Sequence, residues 1–91
     1  DCRIPADHLM GEEHKGIYAI MNNFNYERYM MGAQMLGMSI RLFDECVAYA
    51  QERNTFGQPL IQHQVIRHKL ADMSARIDAM DAYLTQVAEL N

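Results

Sequence analysis

The chain has 91 residues, 49% of them hydrophobic, and a net charge of −4 from 8 basic and 12 acidic side chains. A chain this short holds one small domain and buries only about 60% of the surface its unfolded form exposes, so this apolar fraction implies that part of the surface is covered by a partner. The acidic balance argues against nonspecific nucleic-acid binding, and no run of about 18 apolar residues supports a membrane span. Cys2 and Cys46 form no CxxC and read as reduced thiols, which suits the cytoplasm, or the mitochondrial matrix in a eukaryote.

The chain opens on DCRIPADHL, with neither an initiator methionine nor a signal-peptide pattern, and is expected to be a piece of something longer. Residues 1–13 are punctuated by Pro5, Asp7 and Gly11 and are expected to be irregular. A first helix is expected over about 14–23, stopped by the NNFN of residues 22–25. A second is expected over 25–53, with Asn25 as its N-cap and Glu27 in its first turn.

Along this second helix Met30, Ala33, Leu36 or Gly37, Ile40, Phe43, Val47 and Ala50 mark one face. Tyr29, Met35, Met38, Leu42, Cys46 and Tyr49 carry apolar character elsewhere, as in a helix buried on several sides. Gly32 and Gly37 each cost about 1 kcal/mol against Ala there, and close approach of another backbone is the expected compensation.

A third helix is expected over 60–91, opened by Pro59. Ile66, Leu70, Met73, Ile77, Met80, Leu84 and Val87 alternate at spacings of 4 and 3, a heptad seam. A short connector makes the second and third helices antiparallel neighbours, so the fold class is all-α: a helical hairpin with an irregular N-terminal tail and no strands.

The histidines His8, His14, His63 and His68 never fall at i, i+4, and read as solvated polar residues rather than metal ligands. No P-loop, GxGxxG or GxSxG is present. The connector RNTFGQP, residues 53–59, is richer than a turn requires. Arg53 brings a planar cation suited to phosphate, Phe56 a ring, and Gln64 an amide near the start of the next helix, whose N-terminus favours anions. Two readings of the residues stand side by side: a nucleotide or pyrophosphate site, or Arg53 capping the preceding helix while Phe56 plugs the hairpin core.

The stretch YAQERNTFGQPLIQHQVIRHKLADM resembles the acyl-CoA dehydrogenases, whose C-terminal helical domain carries R-x-x-F-G-x-P-[LI] followed by Q-x-x-x-x-x-L-A-[DE]-M. The matching positions are Arg53, Phe56, Gly57, Pro59, Leu60, Gln64, Leu70, Ala71, Asp72 and Met73. Upstream, IPADHLMGEEHKGIYAIM is similar to the family's exit from its middle β-domain, and NYERYMMGAQMLGMSIRLFDECVAYAQER to its next helix. Gly32, where many members carry Ala, and Arg41 depart from the pattern.

The resemblance implies that residues 1–13 leave the middle domain and that 14–91 form the first half of a C-terminal four-helix bundle. It implies an FAD-dependent enzyme oxidising acyl-CoA to trans-2-enoyl-CoA and passing electrons to an electron-transfer flavoprotein. Arg53, Thr55, Phe56 and Gln64 would contact the FAD of a neighbouring subunit in a homo-oligomer, a dimer or tetramer. Phe24, Asn25 and Arg28 would lie at the acyl-CoA thioester.

In the isovaleryl and long-chain branches the catalytic base stands at the position of Glu27. In other branches it comes from a later helix. The residue-level alternative for Glu27 is a first-turn acid paired with the helix dipole. For the whole chain, the alternative is a stand-alone helical oligomerisation or interaction module without redox activity.

Overall fold

The computed structural model describes residues 1–90. The chain packs as two compact units, Asp1–Met31 and Gly32–Asn91, and is helical over most of its length.

In the first unit a 3-10 turn, Ala6–His8, sits within an otherwise irregular tail. Gly11 (φ 85°) and His14 (φ 64°) turn the chain before helix α1, Gly16–Glu52, begins. The expected break at residues 22–25 does not occur, and Asn25 is no N-cap; α1 runs straight through these positions. The segment contains neither Gly nor Pro, and an Asn costs a helix only about 0.7 kcal/mol against Ala. Asn23 also spends its amide on Glu27 one turn on (Nδ2 to Oε1, 2.7 Å) rather than on the local backbone bond that would open a turn.

The second unit is an antiparallel hairpin of the C-terminal part of α1 and helix α2, Gln64–Glu89. Every position of the heptad seam in α2, from Ile66 to Val87, is half-buried, while the Arg67, Lys69, Asp72, Arg76, Asp78 and Asp81 side chains face solvent. On α1 the covered positions of this unit are Gly32, Ala33, Leu36, Ser39, Phe43, Val47 and Ala50, which repeat at helical spacing. Met30 and Ile40, expected on that face, are exposed. A Cβ built on Gly32 would stand 3.0 Å from Leu84 Cδ2. The glycine therefore admits a leucine side chain rather than a second backbone, and Gly37 meets nothing within 4 Å.

A small β-ladder joins the helices, where none was expected. Strand β1, Asn54–Thr55, pairs antiparallel with β2, Gln58–Pro59. Phe56 (φ 52°) and Gly57 (φ 82°) form its two-residue turn, and positive φ at both centres is the mark of a type I′ hairpin. The Leu60 N–H donates to the Arg53 carbonyl (2.8 Å), extending the pairing. Pro59 does not open the third helix; a 3-10 turn, Leu60–Gln62, intervenes, and α2 starts at Gln64 behind His63.

Among the described residues only Ala50 is buried, with 4% of its surface accessible. The chain exposes 8170 Å², whereas a compact monomer of its mass would expose about 5400 Å².

Candidate functional site

The connector gathers the polar groups that the sequence singles out. At the end of α1 the Arg53 N–H donates to the Tyr49 carbonyl (2.9 Å), and the Asn54 side-chain amide donates to the Glu52 carbonyl (3.2 Å). The side-chain cap of α1 is thus Asn54, not Arg53. Arg53 itself is exposed, and its guanidinium makes no hydrogen bond or ion pair among the described residues. Arg41 and Arg76 behave differently, each engaging an acid one turn away (Glu45 at 2.8 Å, Asp72 at 3.0 Å).

Phe56 does not plug the hairpin core: 98% of it is open to solvent. A non-glycine residue in the left-handed region costs about 1–3 kcal/mol and is kept where surrounding structure over-determines it. Here the ladder on both sides and the ring of His63, met edge-on at 6.2 Å and 80°, hold it. Thr55 is half-buried and its Oγ1 lies 3.1 Å from His63 Nε2.

Gln64, the first residue of α2, is exposed. The His63 side chain does not cap the helix, and the N–H groups of Gln64 and Val65 have no acceptor among the described residues. A shallow groove lined by Gln64, Arg67, His68 and Ala71 continues from this helix start.

A free guanidinium, an exposed ring fixed by the backbone and open amide donors at a helix start together suit an anion attached to an aromatic or apolar body. The donor set fits the diphosphate of a dinucleotide such as FAD.

His63 is a residue of the connector that carries no signal in the sequence pattern. It is half-buried rather than solvated, and it contacts Thr55 on β1 and Gln58 on β2. Its partners stand eight and five positions earlier, a spacing no helical periodicity would flag; only the hairpin brings them together.

The second group of candidates lies in the first unit, in the N-terminal part of α1. Phe24 and Arg28 are one turn apart, and Asn25 is three residues before Arg28, so the three share one side of the helix. Glu27 is exposed, deep inside α1, with Asn23 as its hydrogen-bond partner. That position removes the first-turn dipole account of this carboxylate, because dipole effects fade beyond a helix's first turn. Arg28 is exposed and forms no ion pair among the described residues. No three His, Cys, Asp or Glu side chains among those residues converge as a metal site would require.

Residues 14–91 match the family model described as the acyl-CoA dehydrogenase C-terminal domain. The chain belongs to the acyl-CoA dehydrogenase family. Among curated relatives, cyclohexane-1-carbonyl-CoA dehydrogenase of Geobacter metallireducens is 40% identical over 90 residues, covering 99% of this chain and 24% of the relative. Mitochondrial isovaleryl-CoA dehydrogenase of Pongo abelii is 34% identical over 89 residues, covering 98% of this chain and 21% of the relative. The crystal structure of a probable acyl-CoA dehydrogenase from Mycobacterium abscessus superposes with a TM-score of 0.86 at 40% identity, over 94% of this chain and 23% of that one. The chain thus spans about a quarter of the length of the acyl-CoA dehydrogenases it matches.

Proposed function

We propose that this chain contributes subunit-interface helices, a cofactor-holding connector and the catalytic base to an FAD-dependent acyl-CoA dehydrogenase. The observation that carries this reading is the connector: Phe56 stands 98% exposed at φ 52°, three residues after Arg53, whose guanidinium has no partner among the described residues. Phe56 meets only the edge of the His63 ring, so the exposed faces of both side chains are explained by something that lands on them. Arg53 and Gln64 would hold the cofactor's diphosphate, Thr55 would add a hydroxyl, and Phe56 would cover the apolar part of a cofactor bound in a neighbouring subunit.

When bound, FAD supplies the acceptor for the hydride that leaves the acyl β-carbon. The protein's own task is to remove the α-proton. Glu27 is the group assigned to that task, with the exposed Arg28 and Asn25 orienting the thioester and Phe24 flanking the acyl chain. The α-proton passes to the Glu27 carboxylate, and the C–H electron pair becomes the π component of the Cα=Cβ double bond as hydride leaves the β-carbon, giving a 2-enoyl-CoA, trans where the substitution of the double bond allows it. An electron-transfer flavoprotein would be the onward electron acceptor. For this the carboxylate must sit in a water-poor pocket, and the rest of the subunit must cover it.

The names of the relatives support a substrate class. Cyclohexane-1-carbonyl, isovaleryl and 2-methylacyl groups are all branched at or beside the carbon that loses the proton. A short branched or alicyclic acyl-CoA is the substrate proposed here.

The exposed stripe Met31, Met35, Met38, Leu42 and Tyr49 on α1 repeats at helical spacing and would be covered in a homo-oligomer, a dimer or a tetramer. An interaction module without redox activity would use the same stripe, so flavin binding separates the two readings. Replacing Arg53 by Ala in the whole natural protein is expected to weaken flavin retention about ten- to hundredfold, as loss of a charge-assisted bond does. Ultrafiltration followed by flavin fluorescence measures this, and unchanged retention would remove the connector from the cofactor site.

A further inference from the structure

We propose that His63 is a positioning residue for the connector: in its neutral Nε2–H tautomer it ties the hairpin to the start of α2 and leaves the Thr55 hydroxyl hydrogen free to donate to an anionic cofactor oxygen. The second half of this proposal rests on the reading of the connector as a cofactor site.

The tautomer follows from what each partner can do. His63 Nε2 lies 3.3 Å from the Thr55 carbonyl oxygen, which only accepts, so the proton belongs on Nε2. His63 Nδ1 lies 3.4 Å from the Gln58 side-chain amide nitrogen, a longer contact that agrees with a lone pair on Nδ1. The carbonyl contact selects this ring and the amide contact is consistent with it. The opposite tautomer would set a lone pair against the Thr55 carbonyl and two donors against each other at Gln58.

Thr55 Oγ1, 3.1 Å from the same Nε2, is the only partner that could act either way. With the proton on Nε2 this oxygen shares it with the carbonyl as a second acceptor, and the hydroxyl's own hydrogen is left to point elsewhere. A threonine that would otherwise satisfy itself inside the connector is thereby kept as an outward donor. The same imidazole braces the strained Phe56 through the edge contact of their rings at 6.2 Å. One residue just ahead of α2 thus fixes both the hydroxyl and the ring that the connector presents.

The test uses the whole natural holoprotein. Neutron diffraction from deuterium-exchanged crystals is expected to show deuterium on Nε2 of His63 and none on Nδ1; deuterium on Nδ1 overturns the proposal. Flavin dissociation is then measured for two replacements. Glutamine can place an amide donor where Nε2 stands, whereas asparagine reaches only as far as Nδ1. His63→Gln is expected to hold the flavin dissociation constant within about threefold and His63→Asn to raise it about tenfold, the latter effect vanishing when Thr55→Val is also present. Equal losses for Gln and Asn, or an undiminished Asn loss in the Thr55→Val background, overturn the hydroxyl's role. Arg53→Ala, run alongside, reports on the cofactor reading itself. Unchanged retention there overturns that reading, while the deuterium position still judges the latch.

Discussion

At Phe56 two requirements oppose each other. The type I′ turn wants Asn or Gly at a positive-φ centre, and the sequence supplies a phenylalanine instead. A residue kept against its backbone preference and almost wholly exposed is one whose side chain is needed outside its own fold. Phe56→Asn is therefore expected to stabilise the whole protein stripped of flavin by about 1 kcal/mol while weakening flavin binding. Thermal unfolding of the stripped protein and flavin titration together check this; a loss in both would mean that the ring packs within its own subunit. Glu27 presents a comparable case, since its position in the middle of α1 gives the carboxylate no helix-end role.

At the scale of elements, α2 was legible in full along its seam because heptad spacing and burial obey the same 3.6-residue geometry. Ile77→Ala is expected to cost about 1–2 kcal/mol, less than a fully buried site would, because the seam is only half-covered. Arg76→Ala, which removes an exposed pair with Asp72, is expected to cost under about 0.5 kcal/mol. Urea unfolding of the two variants separates seam from surface, and equal effects would contradict the hairpin packing.

The boundaries of α1 were less legible. Asn22 to Asn25 carry the composition of a break, yet Asn23 reaches Glu27 along the helix and the break disappears. The β-ladder of the connector leaves no signal in the sequence, because strands of two residues have no periodicity to read. Arg53, Phe56 and Gln64 stand out in the sequence of the connector. His63, which meets Thr55, Gln58 and Phe56, does not, because its contacts exist only once the hairpin has closed.

For the whole molecule the deciding quantity is uncovered surface. The chain exposes 8170 Å², and the methionines of the α1 stripe are half open to water. Alone and at micromolar concentration, these 91 residues are expected to associate through that stripe. Sedimentation equilibrium checks this, and a folded monomer would contradict it. The same uncovered surface accords with a chain that spans 24% of a cyclohexane-1-carbonyl-CoA dehydrogenase.

If the whole protein carrying these residues is an acyl-CoA-oxidising flavoenzyme with Glu27 as its base, substrate must reduce its flavin through Glu27. Visible flavin absorbance of the natively purified protein during anaerobic titration with cyclohexanecarbonyl-CoA or isovaleryl-CoA, for the natural sequence and for Glu27→Gln, reads this out. The expected result is a yellow protein that one of these thioesters bleaches, and a Glu27→Gln variant that keeps its flavin and stays yellow. A colourless protein would contradict the flavoenzyme reading, and bleaching that survives in Glu27→Gln would contradict the assignment of the base.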